Sequence, residues 1–233
     1  MNTKLFYYIV LAAWMALGAC KSRDDKEAEL IDADDSTLVA EAPDSGFASE
    51  TIDTFNTTGF SSYAKQRSPQ FDWKKFKLSM VWREDTLVKA SYKPDKKFYA
   101  AYGPFIKWSP DSTKFIDLDS YNVDIKKDKS GKLRGEELGP DTEVSLVDTS
   151  TGQKTRLLFL GPGSSVEDAL WLDSNNLVLM GVQDYGDSLG KTAAVWRYNI
   201  PTQQFTLYEQ RDSAVARELM GYWKRERLKG VLN

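Results

Sequence analysis

The chain has 233 residues, 41% of them hydrophobic, and a formal net charge of −3 from 31 basic and 34 acidic residues. It contains one cysteine and no histidine. The single cysteine excludes an internal disulfide framework within this chain. The lack of histidine excludes Ser-His and Cys-His triads and His-ligated zinc. Enzymatic chemistry would therefore have to use carboxylates, a lysine base or an oxygen-ligated metal.

The first twenty residues have the pattern of an export signal. Lys4 supplies a positive charge, and residues 5–19 form an uncharged run of 15 residues. Such a run has about the length of a signal peptide's apolar region and is short for a bilayer-spanning helix of about 20 residues. Small residues then lead up to the only cysteine, in the order Leu17, Gly18, Ala19, Cys20.

This segment resembles the lipobox of bacterial lipoproteins. The resemblance implies that a diacylglyceryl group is attached to the Cys20 thiol, that residues 1–19 are removed, and that the new N-terminus is acylated again. Several acyl chains hold a protein firmly at a membrane, whereas one holds it only marginally. We therefore expect a lipid-anchored protein of the bacterial cell envelope, at the outer membrane on its periplasmic or surface face. An uncleaved anchor and an ordinary secretory signal are the alternatives.

The charge is distributed unevenly along the chain. Residues 21–55 hold 11 acids and 3 bases, whereas residues 56–233 hold 23 acids and 27 bases. The acidic segment has few large apolar side chains, so it cannot bury enough surface to offset the entropy lost on ordering. Residues 20–55 are therefore predicted to be a flexible tether, and residues 56–233 a β domain. Lys21 and the acids after it also resemble a surface-export signal of lipoproteins in the Bacteroidota, with a solvated linker as the alternative.

Turn signals separate short apolar runs from about residue 60 to residue 209, a pattern that predicts an all-β fold. Residues 115–119 and 144–148 alternate between apolar and polar side chains, whereas residues 177–182 indicate a strand buried on both faces. The polar stretch 120–143 predicts a long hairpin or loop, and residues 71–92 predict further strands.

Two segments, residues 106–116 and 169–179, follow one plan: an aromatic strand end, a polar turn and a second strand. Here the chain resembles TolB-type β-propeller blades, since residues 108–111 read Trp-Ser-Pro-Asp and Asp148 precedes Thr151-Gly152. Ser112 departs from the usual glycine, the second copy lacks the proline, and the tryptophans lie 63 residues apart, against about 40 to 50 for blade repeats. Two units are too few to close a ring.

The resemblance implies antiparallel, propeller-blade-like sheets, as an incomplete propeller or as two packed sheets, with repeats at about residues 100–160 and 165–209. A C-terminal helix is predicted at about residues 213–229, capped by Asp212 or Ser213. Its apolar stripe favours packing on the protein's own sheet, with a membrane surface as the alternative. The stripe comprises Val215, Leu219, Tyr222 and Trp223.

Three motifs could carry chemistry, and each lacks a required part. Ser188 and Lys191 have Ser-x-x-Lys spacing but lie in a glycine-rich turn. Residues 126–137 resemble a calcium loop but begin with Lys126, where an aspartate ligand is needed. Residues 161–165 could cradle an anion, yet they lack the lysine of a P-loop. We therefore expect no catalytic residue, metal or cofactor, and assign only Cys20, as the site of lipidation.

The remaining candidates are acidic residues and tryptophans. A carboxylate pair across a cleft would support glycoside hydrolysis, although aspartates in such folds are usually turn residues. The tryptophans suggest carbohydrate stacking, but for most of them burial is favoured. These candidates are Asp111, Asp117, Asp119, Asp124, Asp168, Asp173, Asp184 and Asp187, with Trp73, Trp82, Trp108, Trp171, Trp196 and Trp223.

The leading functional hypothesis is a membrane-anchored envelope lipoprotein whose β domain is a non-enzymatic binding or structural module. Its expected partners are the membrane, through the lipid on Cys20, and an envelope protein or a second copy of the chain. Nucleic acid is not expected, because the chain carries no nucleic-acid-binding motif and is exported. The alternative is an enzyme or accessory protein that acts on polysaccharide or peptide through acidic residues.

Overall fold

The structure, a computed structural model, describes residues 45–186 and 190–232. The chain divides into two units, residues 1–37 and 38–233, and every described residue belongs to the second. The predicted signal, Cys20 and most of the predicted tether lie outside the described residues, as do the candidate Asp187 and the neighbouring Ser188 and Leu189. Within the described ranges, every helix is too short or too polar to cross a bilayer.

Among the described residues, two α-helices precede the strands, one lies between strands, and one follows them. The helices are α1 (Ser49–Asn56), α2 (Gly59–Arg67), α3 (Lys96–Tyr102) and α4 (Ser213–Leu219), with a short 3₁₀ helix at Trp73–Lys75. The strands are β1 (Lys77–Arg83), β2 (Lys89–Ser91), β3 (Lys107–Trp108), β4 (Lys114–Asp117), β5 (Val123–Lys127), β6 (Leu133–Glu137), β7 (Thr142–Asp148), β8 (Gln153–Leu160), β9 (Ser165–Trp171), β10 (Asn176–Asp184), β11 (Lys191–Asn199) and β12 (Gln204–Gln210).

The strands form two five-stranded antiparallel sheets and one hairpin, which confirms the all-β class. Sheet A has the order β1-β12-β11-β10-β9, and sheet B the order β2-β8-β7-β4-β3. The hairpin of β5 and β6 lies in the polar stretch for which a hairpin or loop was expected. The region 71–92 does add strands, because β1 joins the edge of sheet A and β2 that of sheet B. The likeness to TolB blades stays a prediction.

The two sheets pack against each other, and helices cover their outer faces. Leu146 and Leu157 of sheet B share a core with Leu177, Leu179 and Trp196 of sheet A. On the other side of sheet A, side chains from α1, α2 and α4 form a second core with β10, β11 and β12. The outer face of sheet B packs on α3. The central strands are therefore covered on both sides.

This layering corrects two of the strand predictions. Residues 177–182 are buried on both faces of β10, as expected. Residues 115–119 and 144–148, whose alternation predicts one solvent-facing side, are also largely buried on both faces. The reason is that α3 lies over Phe115 and Val147 on the outer face of sheet B. Asp117 is also buried, with its carboxylate 3.4 Å from the Lys154 ammonium group.

The folded part begins earlier than residue 56, so the tether prediction is wrong for residues 45–55. Phe55 on α1 is fully buried, and Phe47 and Ile52 pack against the same core. The Phe47 ring centroid lies 4.3 Å from that of Tyr208 on β12. The backbone N–H of Leu78 donates to the carbonyl of Ser45 at 3.2 Å. These few apolar side chains are enough to order the segment, because they pack on an apolar face of sheet A.

The C-terminal helix is shorter than the predicted span of residues 213–229. It begins where expected, because the Asp212 carboxylate accepts hydrogen bonds from two N–H groups of the first turn. Val215 and Leu219 are fully buried against sheet A, so the helix packs on the protein's own sheet. It ends at Leu219 because Gly221 has φ +81°, a left-handed conformation that stops a helix. A π-helical turn follows at Trp223–Arg227.

Candidate functional site

A cleft of about 350 Å³ opens where the segments that follow β4, β6 and β8 meet the C-terminal segment. Charged side chains line its floor. The Arg227 guanidinium forms a bidentate ion pair with Asp119, with N–O distances of 2.6 and 2.8 Å. Both side chains are more than nine-tenths buried. The Arg227 Nε also donates to the carbonyl of Glu167 at 3.2 Å.

Glu167 lies in the same floor and is fully buried. Its carboxylate accepts hydrogen bonds from the Ser165 hydroxyl at 2.6 Å and from the N–H groups of Gly221 at 3.1 Å and Trp223 at 3.0 Å. Burial raises the pKa of Glu167 above its ordinary value, although these donors act in the opposite direction. Together with Arg227, Glu167 fixes the C-terminal segment to β9.

An apolar groove of about 250 Å³ runs along the outer edge of β8. Here β2 pairs with only the first residues of β8, from Gln153 to Thr155. One more hydrogen bond follows, from the N–H of Arg156 to the carbonyl of Val88 at 2.9 Å. Beyond it, no described strand pairs with this edge of residues 157–160. The lining of the groove includes Trp82, Leu87, Val88, Leu158 and Phe159.

The rim of this groove exposes large apolar side chains. Val88 is 58% exposed, Phe159 47% and neighbouring Tyr121 43%. The rings of Tyr121 and Phe159 meet edge to face with centroids 5.8 Å apart. On the other side, the Arg156 guanidinium lies 5.2 Å from the Phe159 ring centroid and is held by Glu143. Phe159 is therefore held in place between two partners while much of its surface faces solvent.

A second polar site surrounds Glu209 on β12, which is 3% exposed. Its carboxylate accepts hydrogen bonds from the hydroxyls of Ser79 at 2.6 Å and Thr192 at 2.7 Å. Burial acts to raise the pKa of Glu209, but these hydroxyls, that of Tyr185 and the charge of Arg211 outweigh it and hold the pKa below its ordinary value.

Removing one donor from Glu209 makes a pH-dependent prediction. A depressed carboxylate pKa stabilises the fold above the pKa of the unfolded chain, about 4.3, and that stability is lost as the pH falls through the folded-state value. We therefore expect Ser79→Ala to lower the free energy of unfolding at neutral pH, with a smaller difference from wild type below about pH 4. Urea unfolding at both pH values measures this, with exposed Ser62→Ala as the control. If Ser79→Ala and wild type differ in free energy of unfolding by the same amount at both pH values, the proposed lowering of the Glu209 pKa by Ser79 is contradicted.

Two of the three sequence motifs lie wholly within the described residues, and of the Ser-x-x-Lys motif Ser188 lies outside them. Lys191 is part of a polar contact, since its Nζ bonds Asp184 and the carbonyl of Gly163, both at 2.6 Å. Residues 126–137 belong to the β5–β6 hairpin, where Asp128 accepts from backbone N–H groups of its own turn. Residues 161–165 connect β8 to β9. Within the described ranges, no cluster of three or more acidic, histidine or cysteine side chains could hold a metal ion.

The candidate tryptophans and aspartates include both buried and exposed residues. Trp73 and Trp196 are buried, whereas Trp108 is 41% exposed and lies nearly parallel to Tyr99, at 14° and 6.3 Å between centroids. Asp111 and Asp173 accept hydrogen bonds within their own turns. Three aspartates predicted as candidates are instead buried beside a cation: Asp117 near Lys154, Asp119 with Arg227, and Asp168 with Lys107.

Sequence reasoning missed the groove. Nothing in the sequence distinguishes Val88, Tyr121 and Phe159 from ordinary strand or loop residues. The alternation within β8 does not reveal that β2 pairs with only the first part of β8. Comparison with protein families, curated proteins and solved structures gives no significant match.

Proposed function

We propose that this chain is a cell-envelope lipoprotein, anchored by acyl groups on Cys20, whose β domain is a binding module for an envelope protein. An extended segment of the partner pairs with the open edge of β8, and its apolar side chains fill the groove. The half-paired strand beside exposed Val88 and Phe159 is the observation that carries this proposal.

The chemistry of the groove supports a protein partner. An unpaired strand edge presents a row of backbone N–H and C=O groups that another extended chain can satisfy. Exposed apolar side chains beside such an edge supply pockets for alternate residues of the added strand. The Arg156 guanidinium, ion-paired to Glu143, adds a fixed polar group at the rim. A second copy of this chain is the other candidate, and size measurement of the purified protein would detect it.

Three of the four acids that line the cleft already have partners. Asp119 is 3% exposed and paired with Arg227, and Glu167 is fully buried and hydrogen-bonded. Glu137 is exposed and ion-paired with Lys224, and Asp141 is the fourth acid. A glycosidase needs two carboxyl groups that reach the substrate from either side of the bond. Trp223 also lines this cleft, so an accessory role on glycans is the runner-up.

Substitutions in the groove test the proposal. We expect Phe159→Asp and Val88→Asp to abolish recovery of a partner cross-linked to the protein in its native envelope, since each puts a charge into an apolar contact. Leu138→Asp is the matched control because Leu138 is 59% exposed but follows β6, beside the cleft. Loss of the partner only in the control would move the docking surface to the cleft. Glycan binding without any protein partner would favour the runner-up.

Lipidation makes a separate prediction. We expect mass spectrometry of the native protein to find Cys20 as the N-terminal residue, carrying a diacylglyceryl group and a further acyl chain. Replacement of Cys20 by serine removes the thiol and releases the protein from membrane fractions. A bare thiol at Cys20, or residues 1–19 still attached, would contradict the anchor and leave the groove experiment unaffected.

A further inference from the structure

The folded part carries its excess positive charge in one short stretch. Residues 65–77 contain five basic residues and one acid, whereas bases and acids balance in the rest of residues 56–233. All five basic residues are exposed. We call this surface the basic turn; its basic residues are Lys65, Arg67, Lys74, Lys75 and Lys77.

Buried aromatic side chains hold the basic turn rigidly. Trp73 and Phe76 are each 1% exposed, and their rings lie 5.1 Å apart. Lys74 and Lys75 stand between them in the sequence and are directed to solvent. The Nζ of Lys75 donates to the carbonyl of Gln70 at 3.0 Å, a contact that leaves its charge in place.

Two acids of the described residues contact the basic turn. The Asp72 carboxylate accepts from the N–H of Lys74 at 3.0 Å. Glu218 on α4 pairs with Arg67 at 2.6 Å. Within residues 65–77 themselves, five bases stand against one acid, Asp72.

The chain joins the folded part beside the basic turn. Ser45, the first described residue, accepts a hydrogen bond from the N–H of Leu78. Gly46 is also close to the basic turn, because a Cβ atom added to this glycine would lie 3.3 Å from the carbonyl oxygen of Phe76. Because a chain spans at most about 3.5 Å per residue, the segment that leads from Cys20 to Ser45 must reach the domain beside the basic turn.

We propose that the basic turn docks on the anionic headgroups of a lipid bilayer. Each lysine near an anionic membrane adds to the electrostatic attraction between the protein and the lipid headgroups. This attraction falls off within a Debye length of the membrane surface. The presence of a bilayer next to this surface rests on the proposed lipid anchor. The apolar stripe of α4 does not take this role, since Val215 and Leu219 are fully buried in the protein.

Vesicle binding tests the proposal without the lipid anchor. The mature chain from residue 20, with Cys20→Ser, is mixed at low salt with phosphatidylcholine vesicles that contain or lack phosphatidylglycerol. We expect binding only to the anionic vesicles and weaker binding as salt is added. The double variant K74E/K75E should lower binding at least about tenfold.

A matched double variant separates the basic turn from overall charge. K127E/K129E makes the same charge change at exposed positions of the β5–β6 hairpin and should leave vesicle binding unchanged. Thermal melting by circular dichroism checks that both variants fold. Absence of wild-type binding, or equal loss in both variants, would overturn the proposal. Vesicle binding by a protein whose native Cys20 proves unlipidated would refute the anchor but leave the basic turn's affinity standing.

Discussion

Trp73→Ala should lower the free energy of unfolding by about 3–5 kcal/mol, a large share of a typical domain's stability. Trp73 is 1% exposed and lies at the centre of an aromatic cluster, with ring centroids 4.7 Å from Phe71 and 4.8 Å from Phe55. Its Nε1 donates to the Ser61 hydroxyl at 3.0 Å. Truncation leaves a cavity between the helical layer and sheet A.

Urea unfolding measures this effect through the midpoint, with the slope unchanged if the transition stays two-state. Trp73→Phe is the informative comparison, because it keeps an aromatic ring and loses the hydrogen bond to Ser61. It should therefore be less destabilising than Trp73→Ala. Stability of Trp73→Ala within about 1 kcal/mol of wild type would show that the N-terminal helices do not depend on this cluster.

Arg227→Met should be the second severe substitution, at about 3–5 kcal/mol, because it leaves the carboxylate of Asp119 buried without its partner. The Arg227 side chain is 7% exposed and that of Asp119 is 4% exposed. Hydrogen exchange should also rise at residues 221–232, since Arg227 helps to fix that segment to β9.

A double variant isolates the ion pair. Arg227→Met combined with Asp119→Leu removes both charges, so it should recover much of the stability lost in the single variant. Lys224→Met is the surface control, because Lys224 contacts Glu137 with both side chains 44% exposed. Such exposed pairs contribute about 0–1 kcal/mol. If Arg227→Met and Lys224→Met lower the free energy of unfolding equally, the buried Arg227–Asp119 pair contributes no more to stability than an exposed pair.

Local sequence patterns predicted the parts of the fold that depend on local chemistry. Turn residues and apolar runs predicted the all-β class but left the arrangement of the sheets open, and the polar stretch after residue 119 predicted a hairpin or loop. The cap of the last helix was predicted to be Asp212 or Ser213, and Asp212 caps α4. The helix end was missed because the periodic stripe continues past Gly221, although the positive φ of that glycine stops the helix.

The candidate sites depend on tertiary structure, which periodicity does not encode. Nothing in the sequence shows that β2 covers only the first part of β8, so the exposure of Phe159 was not predicted. The burial of Asp119 and Glu167 depends on a C-terminal segment that folds back more than fifty residues from Glu167. Phe47 and Phe55 were assigned to the tether because their partners, Trp73 and Tyr208, lie far along the chain.

Site-specific photo-cross-linking tests the proposed docking groove most directly. A benzophenone amino acid replaces Phe159 in the native, full-length protein, and a second variant carries it in place of Leu138. Irradiation of intact cells should link position 159 to one envelope protein, at a segment of extended conformation, and should give no product at position 138. Cross-links only at position 138, or none to any protein at position 159, would contradict the assignment of β8 as the binding edge.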